Sequence, residues 1–214
     1  MSAANDLRDK IQGDLRPTKP LRPPYVRALV LIPLAVAIVL SVPGLRFFRS
    51  DMQAIGFLKA WGFSFGQALA GLAIIGVALR ESIPGRGLSR GAIAATIVIG
   101  LAIPFALLAV TASAFNIGPE PGQGFEEGIG CFRVSAISAI PALIAAAFLA
   151  ARALPTRPAL AGALYGLGCG LIADAGLRLF CGYTAPGHVL LGHGGAVVAA
   201  MGFGAIVAML VSRR

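Results

Sequence analysis

Six long stretches free of Asp, Glu, Lys and Arg alternate with short charged segments along the 214 residues: 28–45, 60–79, 91–118, 134–151, 158–173 and 182–212. A helix rises 1.5 Å per residue, so roughly 20 apolar residues cross a bilayer's hydrocarbon core. Most of the stretches reach that length. The fifth does so only if Asp174, and with it Arg178, enters the membrane. The pattern predicts an all-α, polytopic membrane protein with helices near 27–48, 58–79, 91–115, 129–151, 159–180 and 190–211. Residues 1–26 are left as a tail, and 27–214 as the six-helix domain. The tail carries acidic as well as basic residues and precedes no clear cleavage site, so the first apolar stretch reads as a retained helix rather than a secretory signal.

Composition strengthens this reading. Hydrophobic residues make up 57%, charged residues 13%, and mean hydropathy is +0.83, outside the soluble globular range. The 28 glycines suit membrane helices, which pack closely through small residues.

The charge is distributed by side. Arg8, Lys10, Arg16, Lys19, Arg22, Arg27, Arg80, Arg86, Arg90, Arg152, Arg157, Arg213 and Arg214 fall at the end that carries both termini. The opposite end has Arg46, Arg49, Lys59, Arg133 and Arg178. The positive-inside rule then puts both termini in the cytoplasm. The net charge of +9 reads as topogenic rather than as a nucleic-acid footprint.

The only sizeable segment on the terminal side is the tail. Leu7, Ile11 and Leu15 recur at i, i+4 and i+8, one stripe of a short helix begun by Asn5 and Asp6. Prolines 17, 20, 23 and 24 follow and favour an extended strap. A helix this short is marginal in isolation and gains order by laying its stripe on a partner or on membrane lipid. The alternative is a frayed tail whose basic residues only fix topology.

Cys131 and Cys181 lie almost equally far from the turn near Pro155–Thr156, so an antiparallel hairpin carries both to the extracytoplasmic end. There they are available for a disulfide or, kept reduced, as soft metal ligands. His188 and His193 fall on the same side, so the four residues form a candidate two-sulfur, two-nitrogen set, although the spacing matches no established metal motif. Cys169 lies deeper and reads as a packing residue. Gly162, Gly166 and Gly170 form a ridge suited to internal packing or to a homodimer. Asp174 and Arg178, at i and i+4, are predicted to form an intramembrane ion pair. No acidic or histidine chain crosses the bilayer, no catalytic motif is present, and no cofactor is implied.

Several segments carry a family resemblance. Asp14-Leu15-Arg16-Pro17 and Pro20-Leu21-Arg22-Pro23-Pro24 resemble the start of NrsF-like membrane anti-sigma factors. So do Cys131, Pro141, the run from Pro155 into a glycine-rich helix, Cys181, and Gly192-His193 with Gly195. Two positions depart from the pattern: Phe180 and Gly192 stand where many relatives have His and Trp. The resemblance implies a six-helix bacterial inner-membrane regulator that holds an extracytoplasmic-function sigma factor away from RNA polymerase, without itself touching nucleic acid. It implies that residues 7–24 bind sigma, through Leu7, Ile11, Leu15, Arg16, Leu21 and Arg22. It also implies that Cys131 and Cys181 receive an oxidative or heavy-metal stress signal. Two other readings compete. A small transporter or channel needs a polar path that the helices scarcely offer. A membrane thiol oxidoreductase needs a reactive dithiol, and there is no Cys-x-x-Cys.

Overall fold

A computed structural model describes residues 2–14, 22–115, 124–150 and 155–212, with the tail's side chains described over 5–13. Among these residues there are helices and no strands. A tail helix, α1 (Ser2–Asp14), precedes six helices long and apolar enough to span a membrane: α2 (Pro24–Leu45), α3 (Phe57–Glu81), α4 (Arg90–Phe115), α5 (Phe125–Ala150), α6 (Pro158–Leu177) and α7 (Pro186–Ser212).

Local chemistry explains where the boundaries differ from the pattern's prediction. α2, α6 and α7 each begin at a proline, whose fixed φ and missing N–H suit a first helical position. For α2 and α7 this moves the start three and four residues earlier than hydropathy alone implies. α5 starts at Phe125 because Glu126 and Glu127 favour the positive end of the helix dipole, and the Glu127 carboxylate accepts the Gly124 N–H at 2.8 Å. α2 is interrupted at Val30–Leu31, ahead of Pro33, which has no N–H to return to the preceding turn. α1 begins at Ser2 rather than Asn5, since Ala3 and Ala4 are strong helix formers.

Side-chain ties show that successive helices run up and down. At one end the Arg27 guanidinium donates to the Leu149 carbonyl, joining the start of α2 to the end of α5. Glu81, at the end of α3, accepts the Leu88 N–H at 2.8 Å and pairs with Arg157 beside the start of α6 at 3.2 Å. At the other end Arg49 donates to the Arg178 carbonyl at 3.3 Å, and Arg178 reaches Thr111 of α4 at 3.5 Å.

α6 is the centre of the bundle. Its 18-residue apolar window is 89% buried inside the protein, against 17–50% for the other five, so it contacts its neighbours rather than its surroundings. Its glycines make this possible. A Cβ on Gly162 or Gly166 would collide with the backbone of Gly204 or Ala200 in α7. On the opposite side a Cβ on Gly168 would come within 2.6 Å of the Gly71 carbonyl of α3. Gly176 lies against Ile38 and Val39 of α2. The Gly162/Gly166/Gly170 ridge is therefore covered by α7 of the same chain, which leaves it closed to a second copy.

Candidate functional site

The end of the bundle away from the start of α2 gathers Cys131, Cys181, His188 and His193. Cys131 lies in the second turn of α5, and Cys181 four residues beyond α6. On α5 the buried face is Cys131, Ser135, Ala139, Ala142 and Ala146, with Ser138 and Ala145 only half-buried beside it. This face meets α6 and the start of α7. The sulfurs of Cys131 and Cys181 and a ring nitrogen of His188 all lie within 4.8 Å of one another. His188 Nε2 is 3.2 Å from the Cys181 sulfur, and its ring stands edge-on to Tyr183 with centroids 4.9 Å apart. All three cysteines are free thiols, and Cys169 is enclosed in the core.

His193 joins from one turn further along. Its ring centroid is 6.0 Å from that of His188. Five residues apart in a regular α-helix, the two histidines would point about 140° away from each other. They share a side because Leu190–Gly195 forms a π-helical turn. That turn contains Gly192, Gly194 and Gly195, which allow neighbours to close in. A Cβ on Gly192 would sit 3.0 Å from the Cys131 Cβ, and one on Gly194 would sit 2.5 Å from the Phe105 ring. π turns are rare and recur at functional sites.

Behind the histidines lies a buried polar chain that sequence reasoning missed. His193 Nδ1 is 2.6 Å from Asp174 Oδ1, and Gln67 of α3 donates to Asp174 Oδ2 at 2.7 Å and to the Leu171 carbonyl at 3.2 Å. Asp174 is fully buried. A carboxylate on one ring nitrogen orients the imidazole, the arrangement that commonly backs a metal-binding histidine. The direct Asp174–Arg178 pair expected from their i, i+4 spacing is not among the ion pairs of the described residues. Both carboxylate oxygens are already engaged by facing helices, while Arg178 turns to the Pro104 carbonyl and Thr111 of α4. Gln67 is the only Asn or Gln in the six apolar stretches, apart from Asn116, and that was the available signal.

A cavity of about 480 Å³ opens onto the thiols, lined among others by Arg46, Arg49, Glu127, Cys131, Cys181 and Tyr183. Hydrogen bonds from Cys131 and then His188 hold the Cys181 thiol well below its ordinary range, against the opposing effect of burial. Its sulfur thus has the thiolate character needed for nucleophilic attack or soft-metal ligation.

Leu7 and Ile11 of the tail are 60% and 55% exposed, and every described side chain over 5–13 is exposed, so this part of the apolar stripe is left uncovered among the described residues. Lys10 pairs with Asp6 at 3.3 Å along the helix. Arg22 is exposed. Leu15, Arg16 and Leu21 lie outside the described residues, as do Lys19, Arg152, Arg213 and Arg214.

Comparison with known families finds a match to NrsF, described as negative regulator of sigma F, over residues 12–213. No curated protein and no solved structure matches the chain.

Proposed function

This chain belongs to the NrsF family of negative regulators of a sigma factor, and from that premise we propose that it works as a transmembrane anti-sigma factor. It resides in the bacterial inner membrane with both termini in the cytoplasm, and its tail retains a sigma factor of the extracytoplasmic-function class. The observation carrying this reading is the separation of two features. An uncovered Leu7/Ile11 stripe lies on α1, while a buried thiol–imidazole cluster lies at the far end of six apolar helices.

The tail supplies the grip. Leu7 and Ile11, with Leu15, enter an apolar groove of the sigma factor, and Arg16, Leu21 and Arg22 extend the contact along the strap. Cys131 and Cys181 supply the signal input. An oxidant takes two electrons as the Cys181 thiolate and the Cys131 thiol join in a disulfide and the Cys131 proton leaves. Alternatively, a thiophilic ion displaces the Cys131 proton and binds both sulfurs, with His188 and His193 as further donors. Either event changes the packing of α5 against α6. α6 lies against Ile38 and Val39 of α2, so the change passes to the helix whose other end is the root of the tail.

Replacing Leu7, Ile11 and Leu15 together by Ser should free the sigma factor constitutively while the protein still inserts. This is read as sigma-dependent reporter activity at equal membrane expression. Cys131→Ser and Cys181→Ser should instead keep repression and alter induction. Continued repression by the tail variant removes the tail from the mechanism, and unchanged induction in both cysteine variants removes the sensor.

A further inference from the structure

A second cavity, a groove of about 1000 Å³, runs along the outside of the bundle at the end nearest the tail. One wall is the start of α2, from Pro23 through Leu29, and the other is α3 from Leu69 to Val77. Gly76 is its floor, where an added Cβ would meet only the Ala28 Cβ, at 3.8 Å. Arg80 and Arg86 close its outer end.

The groove is apolar in depth and basic at the mouth. From Arg80 down to Leu69 is eleven residues of helix, about 16 Å at 1.5 Å each. That is close to half of the roughly 30 Å hydrocarbon core, the depth of a single leaflet. Leu29 and Leu69 are 52% and 59% exposed, so the wall is open toward the bilayer. Tyr25, 66% exposed, stands near the mouth, where an aromatic ring with a polar tip suits the headgroup level.

The two guanidiniums are exposed, and neither pairs with a carboxylate among the described residues. Their presentation is nevertheless built. Arg86 sits in a tight loop, with Gly85 at φ +77°, its N–H bonded to the Ile83 carbonyl at 3.1 Å. The loop is anchored by buried Glu81, which accepts the Leu88 N–H at 2.8 Å and is held by Arg157 at 3.2 Å.

We propose that this groove binds one anionic phospholipid of the leaflet on the tail's side, its acyl chain lying along Leu69–Val77 and its phosphate held by Arg80 and Arg86. Basic pockets between transmembrane helices on the cytoplasmic side are suited to anionic headgroups. A soluble partner has no access to the lower wall, which lies at hydrocarbon depth. The chain's own strap carries Arg16 and Lys19, which the two arginines repel. Because Pro23 and Pro24 form part of the wall, the bound lipid touches the point where the tail leaves the membrane. The proposal rests on the membrane reading of the six helices and is independent of the sigma factor.

The test is native mass spectrometry of the purified full chain in detergent, titrated separately with phosphatidylglycerol, phosphatidylcholine and inorganic phosphate. Phosphatidylglycerol is expected to bind in preference to phosphatidylcholine, and inorganic phosphate not at all. The double variant R80Q/R86Q should weaken phosphatidylglycerol about thirtyfold, at roughly one near-surface charge interaction per arginine. R90Q, a matched exposed arginine that does not line the groove, should leave binding unchanged. Gly76→Leu keeps both charges and fills the floor, and should also abolish the preference. Equal occupancy by the two lipids, undiminished binding by the double variant, or phosphate binding as tightly as lipid would each overturn the proposal. So would phosphatidylglycerol binding that emerges only after residues 2–22 are removed, since the strap would then be the occupant.

Discussion

Asp174 is enclosed on all sides, and its two oxygens are held by His193 of α7 and Gln67 of α3. Replacing it by Leu would take the carboxylate from buried His193 and leave Gln67 the Leu171 carbonyl, a loss of about 3–5 kcal/mol for a broken buried pair. Asp174→Asn keeps an acceptor oxygen and should cost about 1–3 kcal/mol. Thermal unfolding of the purified variants should rank them in that order below the parent, and equal melting would remove the polar chain from the account. Cys181 makes a separate prediction. An ordinary thiol loses thiolate tenfold per pH unit below about 8.5. A depressed Cys181 stays ionised, so its alkylation should stay nearly flat between about pH 8.5 and 6.5. Peptide-resolved mass spectrometry reads this site by site. Cys169, fully buried, should stay unmodified until the protein unfolds. In His188→Ala the Cys181 rate should fall more steeply with pH. The nearness of Cys131 and Cys181 was legible from equal spacing about one turn. The Asp174–His193 link was not, because it depends on how far a helix departs from its regular period.

At the scale of elements, the close approach of α6 and α7 depends on glycines whose missing Cβ is filled by a neighbour's backbone. Gly166→Leu should destabilise the protein by about 3 kcal/mol or more, since the obstacle is the Ala200 carbonyl rather than a movable side chain. Gly202, with nothing within 4 Å of an added Cβ, is the control. Gly202→Ala should be neutral or stabilising by up to ~1 kcal/mol. Thermal melts of the two variants check this, and similar melting would mean that α6 and α7 are not locked as described. The six helices were legible because apolar length is a strong signal. Their starts were less so, since Pro24, Pro186 and the Glu126/Glu127 pair set boundaries that hydropathy does not register. The ridge at Gly162, Gly166 and Gly170 marked a close contact but not which helix would make it.

For the molecule as a whole, the central claim is that the tail holds a sigma factor and the bundle governs that hold. Membership in a family of negative regulators supports the first half. The second half rests on α6, whose Leu177 packs with Cys131 and Cys181 and whose Gly176 lies against Ile38 and Val39 of α2, the helix that begins at the strap. Which helix ends share a side was legible, since six apolar stretches joined by short segments must alternate in direction. The route between them depends on a central helix with glycine on several faces, a feature that composition marks without indicating its neighbours. The most direct measurement is a pull-down from solubilised membranes, comparing the full chain with a version lacking residues 2–22. The account predicts a sigma factor recovered with the full chain and lost with the truncated one. Recovery with neither, at equal expression, would contradict it.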